Sequence, residues 1–134
     1  MLIRKAKKSD VRKCLDIRAQ DKPYWTQQDL QKAAQDKDVM FLVAEDKKVI
    51  GYIIGFINPT KRTEALICET RVHKKERGKK IGTKLVNELC KQSFKKGAKT
   101  VYAQIEPKHL KFYRDACKFK ITHKWIEVAK GEQK

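Results

Sequence analysis

Across residues 71–84 the chain carries seven basic side chains, Arg71, Lys74, Lys75, Arg77, Lys79, Lys80 and Lys84, against one acid, Glu76. Two glycines, Gly78 and Gly82, sit inside that charge. The stretch lies where an extended segment ends and a helical pattern begins. A helix start exposes unpaired backbone N–H groups and about half a positive charge, so it is a ready anion site. Glycine lets a bulky anion approach the backbone closely, and pyrophosphate is the kind of ligand this arrangement suits. A generic basic patch has no reason to need glycine at those positions. Two familiar phosphate loops are excluded, because neither G-x-x-x-x-G-K-[ST] nor a G-x-G-x-x-G after an early strand occurs. Cys14, Cys68, Cys90 and Cys117 are far apart with no CxxC pair. That spacing argues against a zinc site and against a disulfide framework. All four fall on apolar positions of their segments and read as small core residues.

The totals set the frame for these residues. A chain of 134 residues is expected to form one domain, residues 1–134, with a real core. The net charge of +17 predicts attraction to something anionic, such as a nucleotide, RNA or an acidic protein. The N-terminus has no apolar signal-peptide core, and the longest apolar run, residues 49–57, is too short to span a bilayer. A soluble cytoplasmic protein is the expectation.

The elements that must position the basic loop can be read from periodicity. Residues 2–6 read as a short strand. Ser9 offers an N-cap and Asp10 a first-turn charge to a helix carrying Val11, Cys14, Leu15 and Arg18. Thr26 and Asp29 form a capping-box pattern that opens a second helix to about residue 34. Residues 39–45 and 49–57 form a hairpin, and residues 64–72 a third long strand. Ile81, Leu85, Val86, Leu89, Cys90 and Phe94 recur at steps that define one face of a long helix, which Gly97 ends. Residues 100–106 read as a strand, Pro107 opens a helix to about residue 116, and residues 119–128 read as a last strand or tight hairpin. The order is β-α-α-β-β-β-α-β-α-β, with a parallel pair around the long helix.

The loop Arg77-Gly78-Lys79-Lys80-Ile81-Gly82, with Val72-His73 ahead of it, resembles motif A (R/Q-x-x-G-x-G/A) of the GNAT superfamily of acetyl-CoA-dependent N-acetyltransferases. Residues 41–55 look like that family's second and third strands. Residues 110–119, LKFYRDACKF, look like its A-x-x-F-Y-x-x-x-G-F segment, with Phe112 and Tyr113 matching. The resemblance implies the GNAT acyl-CoA N-acyltransferase fold: mixed α+β, a mostly antiparallel central sheet with a parallel pair from its fourth and fifth strands, and helices on both faces. Lys80 departs from the pattern by standing where glycine is preferred, and Glu106 by standing where asparagine is common. The segment after Tyr113 is one residue longer than the pattern and lacks its glycine. Few residues follow Phe119, so the last strand of the family's sheet is expected to be short or missing.

The resemblance further implies direct acetyl transfer from acetyl-CoA, with no metal, to a primary amine on a protein N-terminus, a lysine or a small molecule. Acetyl-CoA binding would fall on Thr70, Arg71 and Val72, where the fourth strand splays from the fifth and a backbone N–H polarises the carbonyl. It would also fall on Arg77, Gly78, Lys79, Lys80, Ile81, Gly82 and Thr83. Tyr113 matches the family's proton donor to the departing sulfur. Transfer from a phenol titrating near about 10 to a thiolate whose thiol titrates near about 8.5 is expected to run in the useful direction. The other reading of Tyr113 is a core aromatic beside Phe112.

Glu69 is the candidate general base, or else a salt-bridged strand residue. Glu64 and Glu106 are weaker candidates. His73, His109 and His123 lack a triad or metal pattern and read as structural. Tyr24 and Trp25 fall in the loop that lines the acceptor cleft in relatives, where they either shape the cleft or pack. A competing reading is a nucleic-acid or ribosome-binding module on the same fold. The charge supports it, but no stacking aromatic ladder does. The charge also disfavours polyamine acceptors and favours an amine on an acidic protein or nucleoprotein.

Overall fold

A computed structural model describes residues 1–18, 25–124 and 126–132. Strand β1 (Leu2–Lys5) leads through a 3₁₀ turn (Lys8–Asp10) into α1 (Val11–Arg18). Helix α2 (Gln27–Gln35) precedes a meander of β2 (Val39–Asp46), β3 (Lys48–Ile57) and β4 (Glu64–Val72). A 3₁₀ turn (Lys74–Glu76) then leads to α3 (Ile81–Lys95) and β5 (Thr100–Ala103). The last helical segment combines a 3₁₀ turn (Pro107–His109) with a π turn (Phe112–Ala116). The five strands form one sheet in the order β1-β2-β3-β4-β5. β1 to β4 pair antiparallel and β4–β5 parallel.

The apolar patterns explain the layers. Side chains alternate across a strand, so each strand of this sheet feeds two cores. One face carries Leu42, Ile53, Ile57, Ala65 and Ile67 against Ile81, Leu85, Val86 and Leu89 of α3. The other carries Phe41, Val43, Tyr52 and Ile54 against Val11, Cys14, Ile17 and Leu30 of α1 and α2. Helices therefore cover both faces, as expected. At Gly55 a Cβ would lie 2.7 Å from the Leu66 carbonyl oxygen and 2.8 Å from Leu89, so α3 sits down on the sheet only because that side chain is missing.

Several local expectations are corrected. Ser9 does not cap α1. It lies inside the 3₁₀ turn, and the Asp10 carboxylate instead accepts the Lys7 N–H at 2.7 Å. The Thr26–Asp29 capping box forms in both directions, at 2.8 and 3.1 Å. Phe94 is exposed, because the inward position one turn after Leu89 belongs to Ser93, whose hydroxyl donates to the Leu89 carbonyl at 2.8 Å. Cys14 is buried but Cys68 is exposed, for a reason given below. No strand forms among the described residues of 119–128, where Ile126 and Val128 are almost fully exposed. A strand needs a backbone partner, and β5 offers this lysine-rich segment an edge only four residues long.

Candidate functional site

The site begins with an irregularity in β4. Ile54 pairs with Glu69 and Gly55 with Ile67, so Cys68 has no opposite number on β3. This is a β-bulge, and one extra residue reverses the alternation beyond it. Without it, Glu69 would share a face with Ile67. With it, Glu69 joins its partner Ile54 on the α1/α2 face, and Thr70 joins Ile53 on the α3 face. Cys68, at the bulge, belongs to neither core.

The pairing of β4 with β5 stops at Ile67–Ala103. The outer edge of residues 68–72 therefore has no ladder partner on β5, and this is the expected splay. The α3 N-terminus lies beside it: a Cβ on Gly82 would stand 3.2 Å from Phe112 and 3.7 Å from Val72. No side chain caps α3, and its first turn carries no acid. The first intrahelical bond at this end is Lys84 N–H to the Lys80 carbonyl, at 3.1 Å. The N–H groups of Ile81, Gly82 and Thr83 precede it.

The basic loop is braced around that helix start. Arg77 Nε donates to the Val72 carbonyl at 3.2 Å, tying the loop to the end of β4. Lys79 Nζ pairs with Glu76 at 2.7 Å, and His73 Nδ1 accepts the Lys75 N–H at 3.1 Å. Gly78 has φ +84° and Lys80 φ +64°, both left-handed. The position where a family glycine was missed thus has the backbone that favours glycine. The side chain of Ile81 is buried in the core, so only its backbone faces the loop. The two glycines have separate reasons: Gly78 its backbone angle, Gly82 the ring of Phe112.

Tyr113 is buried between Phe112 and Phe119, with ring centroids 5.0 and 5.4 Å away in edge-on contact. Its hydroxyl lies 3.2 Å from Thr70 Oγ1. The extra residue after Tyr113 is absorbed by the π turn, with Cys117 N–H reaching the Phe112 carbonyl at 3.1 Å. Lys118, where the family pattern has glycine, is again left-handed, at φ +64°. Burial pushes the Tyr113 phenol up and the Thr70 hydrogen bond offsets part of that. This corrects the expected direction of proton transfer. A phenol is a weaker acid than a thiol by roughly 1.5 units before burial adds to it, so complete transfer to a thiolate costs about 2 kcal/mol or more. The geometry is that of a hydrogen-bond donor to growing negative charge.

Glu69 is 6 % exposed. Its Oε1 accepts from Arg71 Nε at 3.1 Å, while its Oε2 is buried without a partner. The fully buried Tyr52 hydroxyl is close enough for Glu69 to help raise that phenol, after burial itself, yet no hydrogen bond of proper geometry closes between them. Burial likewise pushes the Cys14 thiol below it up to about 12. Tyr113 and Glu69 therefore flank the open edge of β4 from opposite faces of the sheet. Glu64 is paired with Lys61 at 3.1 Å at the far end of β4, and Glu106 is exposed beside Lys108. Trp25 is half-buried against the α1/α2 core, and Tyr24 lies outside the described residues. Gly55, Tyr52 and the bulge at Cys68 were missed by sequence reasoning. The adjacent glycine and β-branched residues of β3 gave only a strand signal.

Residues 6–119 match the model of the acetyltransferase (GNAT) family. The chain is 29% identical over 73 residues to an L-2,4-diaminobutyric acid acetyltransferase of Virgibacillus pantothenticus, covering 54% of this chain and 46% of that protein. It thus spans about half the length of the curated relative it matches. An acetyltransferase of Trypanosoma brucei has a similar structure, with TM-score 0.77 and 21% identity, covering 96% of this chain and 98% of that one. Glucosamine-6-phosphate N-acetyltransferase of Arabidopsis thaliana is similar at TM-score 0.74 and 21% identity, with 97% of each chain covered. Among the described residues no helix is long and apolar enough to cross a membrane.

Proposed function

The chain belongs to the GNAT acetyltransferase family, and on that premise we propose that it is a cytoplasmic N-acetyltransferase using acetyl-CoA to acetylate a primary amine by direct attack. One observation carries the reading most: an uncapped, acid-free α3 N-terminus ringed by lysine and arginine stands beside the unpaired outer edge of β4. Donors without partners next to strand N–H groups suit a pyrophosphate followed by an amide-bearing arm. Acetyl-CoA would supply the activated acyl group.

The N–H groups of Ile81, Gly82 and Thr83 would hold the pyrophosphate, with Gly78, Lys79 and Lys80 shaping the loop and Arg77 bracing it. The backbone of Thr70, Arg71 and Val72 would hold the arm and polarise the thioester carbonyl. Glu69 would take the amine proton at its buried Oε2, with Arg71 orienting the carboxylate through Oε1. The Tyr113 hydroxyl would hydrogen-bond the sulfur as its charge grows, and Thr70 fixes that hydroxyl. The bulge would make this division of labour possible, because it puts Glu69 and the Thr70 that touches Tyr113 on opposite faces of β4. Amine acceptors of the relatives, diaminobutyrate and glucosamine-6-phosphate, support an amine substrate.

The competing reading, nucleic-acid binding on this fold, rests on the net charge of +17. Thiol release from acetyl-CoA in the presence of an amine panel separates the two. Glu69→Gln should reduce that release by about 10²–10⁴. The deficit should shrink as pH approaches the amine's own pKa, where no base is needed. A Glu69→Gln enzyme as active as the parent at every pH would remove Glu69 from the mechanism.

A further inference from the structure

The bulge at Cys68 turns Glu69 toward the α1/α2 face and also chooses its neighbours there. Beyond the bulge Tyr52 stands opposite Arg71, and Ile54 stands opposite Glu69. Tyr52 and Ile54 both belong to the α1/α2 core, so Tyr52 and Glu69 are diagonal neighbours on one face of an antiparallel pair. Such positions lie about 7–8 Å apart at the backbone, within reach of two long side chains. Both residues are buried, Tyr52 completely. Burial, the Glu69 charge and a hydrogen bond to Glu69 all push the Tyr52 phenol up. A phenol raised by a carboxylate in this way acts as a donor to it. The contact falls short of good geometry, and Tyr52 Oη and Glu69 Oε2 have no other partner. Hydrogen bonds in catalytic sites are often poorly aligned and tighten in the reacting complex.

The other groups that face this pair leave the role to Tyr52. Arg71, on β4 itself, holds Glu69 Oε1 at 3.1 Å. From α1, Arg18 acts on Tyr52 against Glu69, and Cys14 acts with Glu69. Burial pushes the Cys14 thiol up to about 12, so it stays neutral near physiological pH. Asp10 and Arg4, which also act on Cys14, are bonded to each other at 2.8 and 3.0 Å. Leu30 of α2 and Phe41 and Val43 of β2 close the core with apolar surface. We propose that Tyr52 is a positioning residue for acetyl transfer, its hydroxyl donating to Glu69 Oε2 so that the carboxylate is held at both oxygens. This rests on the acetyltransferase reading and on Glu69 as its base. A carboxylate oxygen has two lone-pair sites, so Oε2 accepts from Tyr52 on one and takes the amine proton on the other. The N–C bond forms as the C–S bond breaks, and the electron pair stays on sulfur. Tyr52 keeps its own proton throughout and acts through Glu69, without touching either substrate.

Tyr52→Phe tests this, because it keeps the ring packed 6.0 Å from Phe41 and removes the donor. Thiol release from acetyl-CoA is followed across pH with L-2,4-diaminobutyrate and glucosamine-6-phosphate as acceptors. A donor on a carboxylate favours its charged form. The acid limb of kcat/KM should therefore move up by about one pH unit in the variant. Tyr52→Phe would then be about tenfold slower on that limb and nearly equal to the parent above it. An equal loss at every pH, as packing alone would give, overturns the proposal, and so does no change at any pH. A second measurement needs no substrate. In proton NMR the parent should show a Tyr52 hydroxyl signal that exchanges slowly, is deleted in Tyr52→Phe and shifts in Glu69→Gln. No protected signal, or one that Glu69→Gln leaves unmoved, overturns the proposal. Should Tyr52→Phe fail to fold, the tyrosine-labelled parent and Glu69→Gln still decide. Absence of thiol release from the parent beside an intact hydroxyl signal overturns the acetyltransferase reading and this role with it, while the contact itself stands.

Discussion

The hydroxyls of Tyr113 and Thr70 meet at 3.2 Å, joining the π turn to the open edge of β4 across 43 residues of sequence. Tyr113→Phe keeps the ring and its contacts with Phe112 and Phe119 but removes the donor. Turnover should fall, by as much as about 10²–10⁴, with acetyl-CoA affinity nearly unchanged, since the hydrogen bond strengthens only as the sulfur gains charge. Thr70→Val should lower turnover less, because it frees the hydroxyl without deleting it. Steady-state rates measured beside acetyl-CoA binding test this. Unchanged turnover in Tyr113→Phe would make Tyr113 a packing residue.

The basic loop yields opposite expectations for two neighbouring positions. Lys80 holds φ +64°, so Lys80→Gly should stabilise the fold by about 0.5–1 kcal/mol and leave acetyl-CoA binding intact. Gly82→Val should destabilise it by about 1–3 kcal/mol, because its Cβ would stand 3.2 Å from the Phe112 ring. The sequence alone suggested that this side chain would obstruct the phosphate, whereas the structure aims it at Phe112. Phe112→Leu in the Gly82→Val background should therefore recover part of the loss in chemical denaturation. No recovery would return the clash to the ligand side.

Asp10 gives the fold an acid-sensitive joint. Its carboxylate accepts both Arg4 nitrogens and the Lys7 N–H, and the bond from Arg4 is the main cause that lowers its pKa below the ordinary 3.8. A carboxylate depressed in the folded state binds fewer protons there than in the unfolded chain. Its contribution is therefore complete above the unfolded pKa and is lost as pH falls through the folded one. Asp10→Asn should cost about 1.5–3 kcal/mol near neutrality, and the gap to the parent should close below about pH 4. A gap that does not change with pH would assign Asp10 a purely steric role.

Most of the scaffold was legible because it depends on local patterns. The apolar runs of β2 and β3, the α3 stripe from Ile81 to Leu89 and the Thr26–Asp29 box all survive in the structure. The glycine loop was legible for the same reason, as Gly78 and Gly82 interrupt a charge run that needs none. What escaped depends on pairing between distant segments. The bulge at Cys68 is a property of two strands together, and no single-strand pattern announces that Glu69 has changed faces. Residues 119–128 read as a strand, but the described residues of that segment pair with no other strand, so the propensity goes unused. The π turn follows from the extra residue after Tyr113, which was visible in the sequence as a misfit rather than as a structure.

Thermal unfolding with and without acetyl-CoA tests the central claim most directly, because it needs no acceptor. A ligand present at about a hundred times its dissociation constant adds about 2.7 kcal/mol. For a chain of 134 residues that raises the melting temperature by on the order of 10 °C. The account predicts such a rise. An unchanged melting temperature at millimolar acetyl-CoA would contradict it.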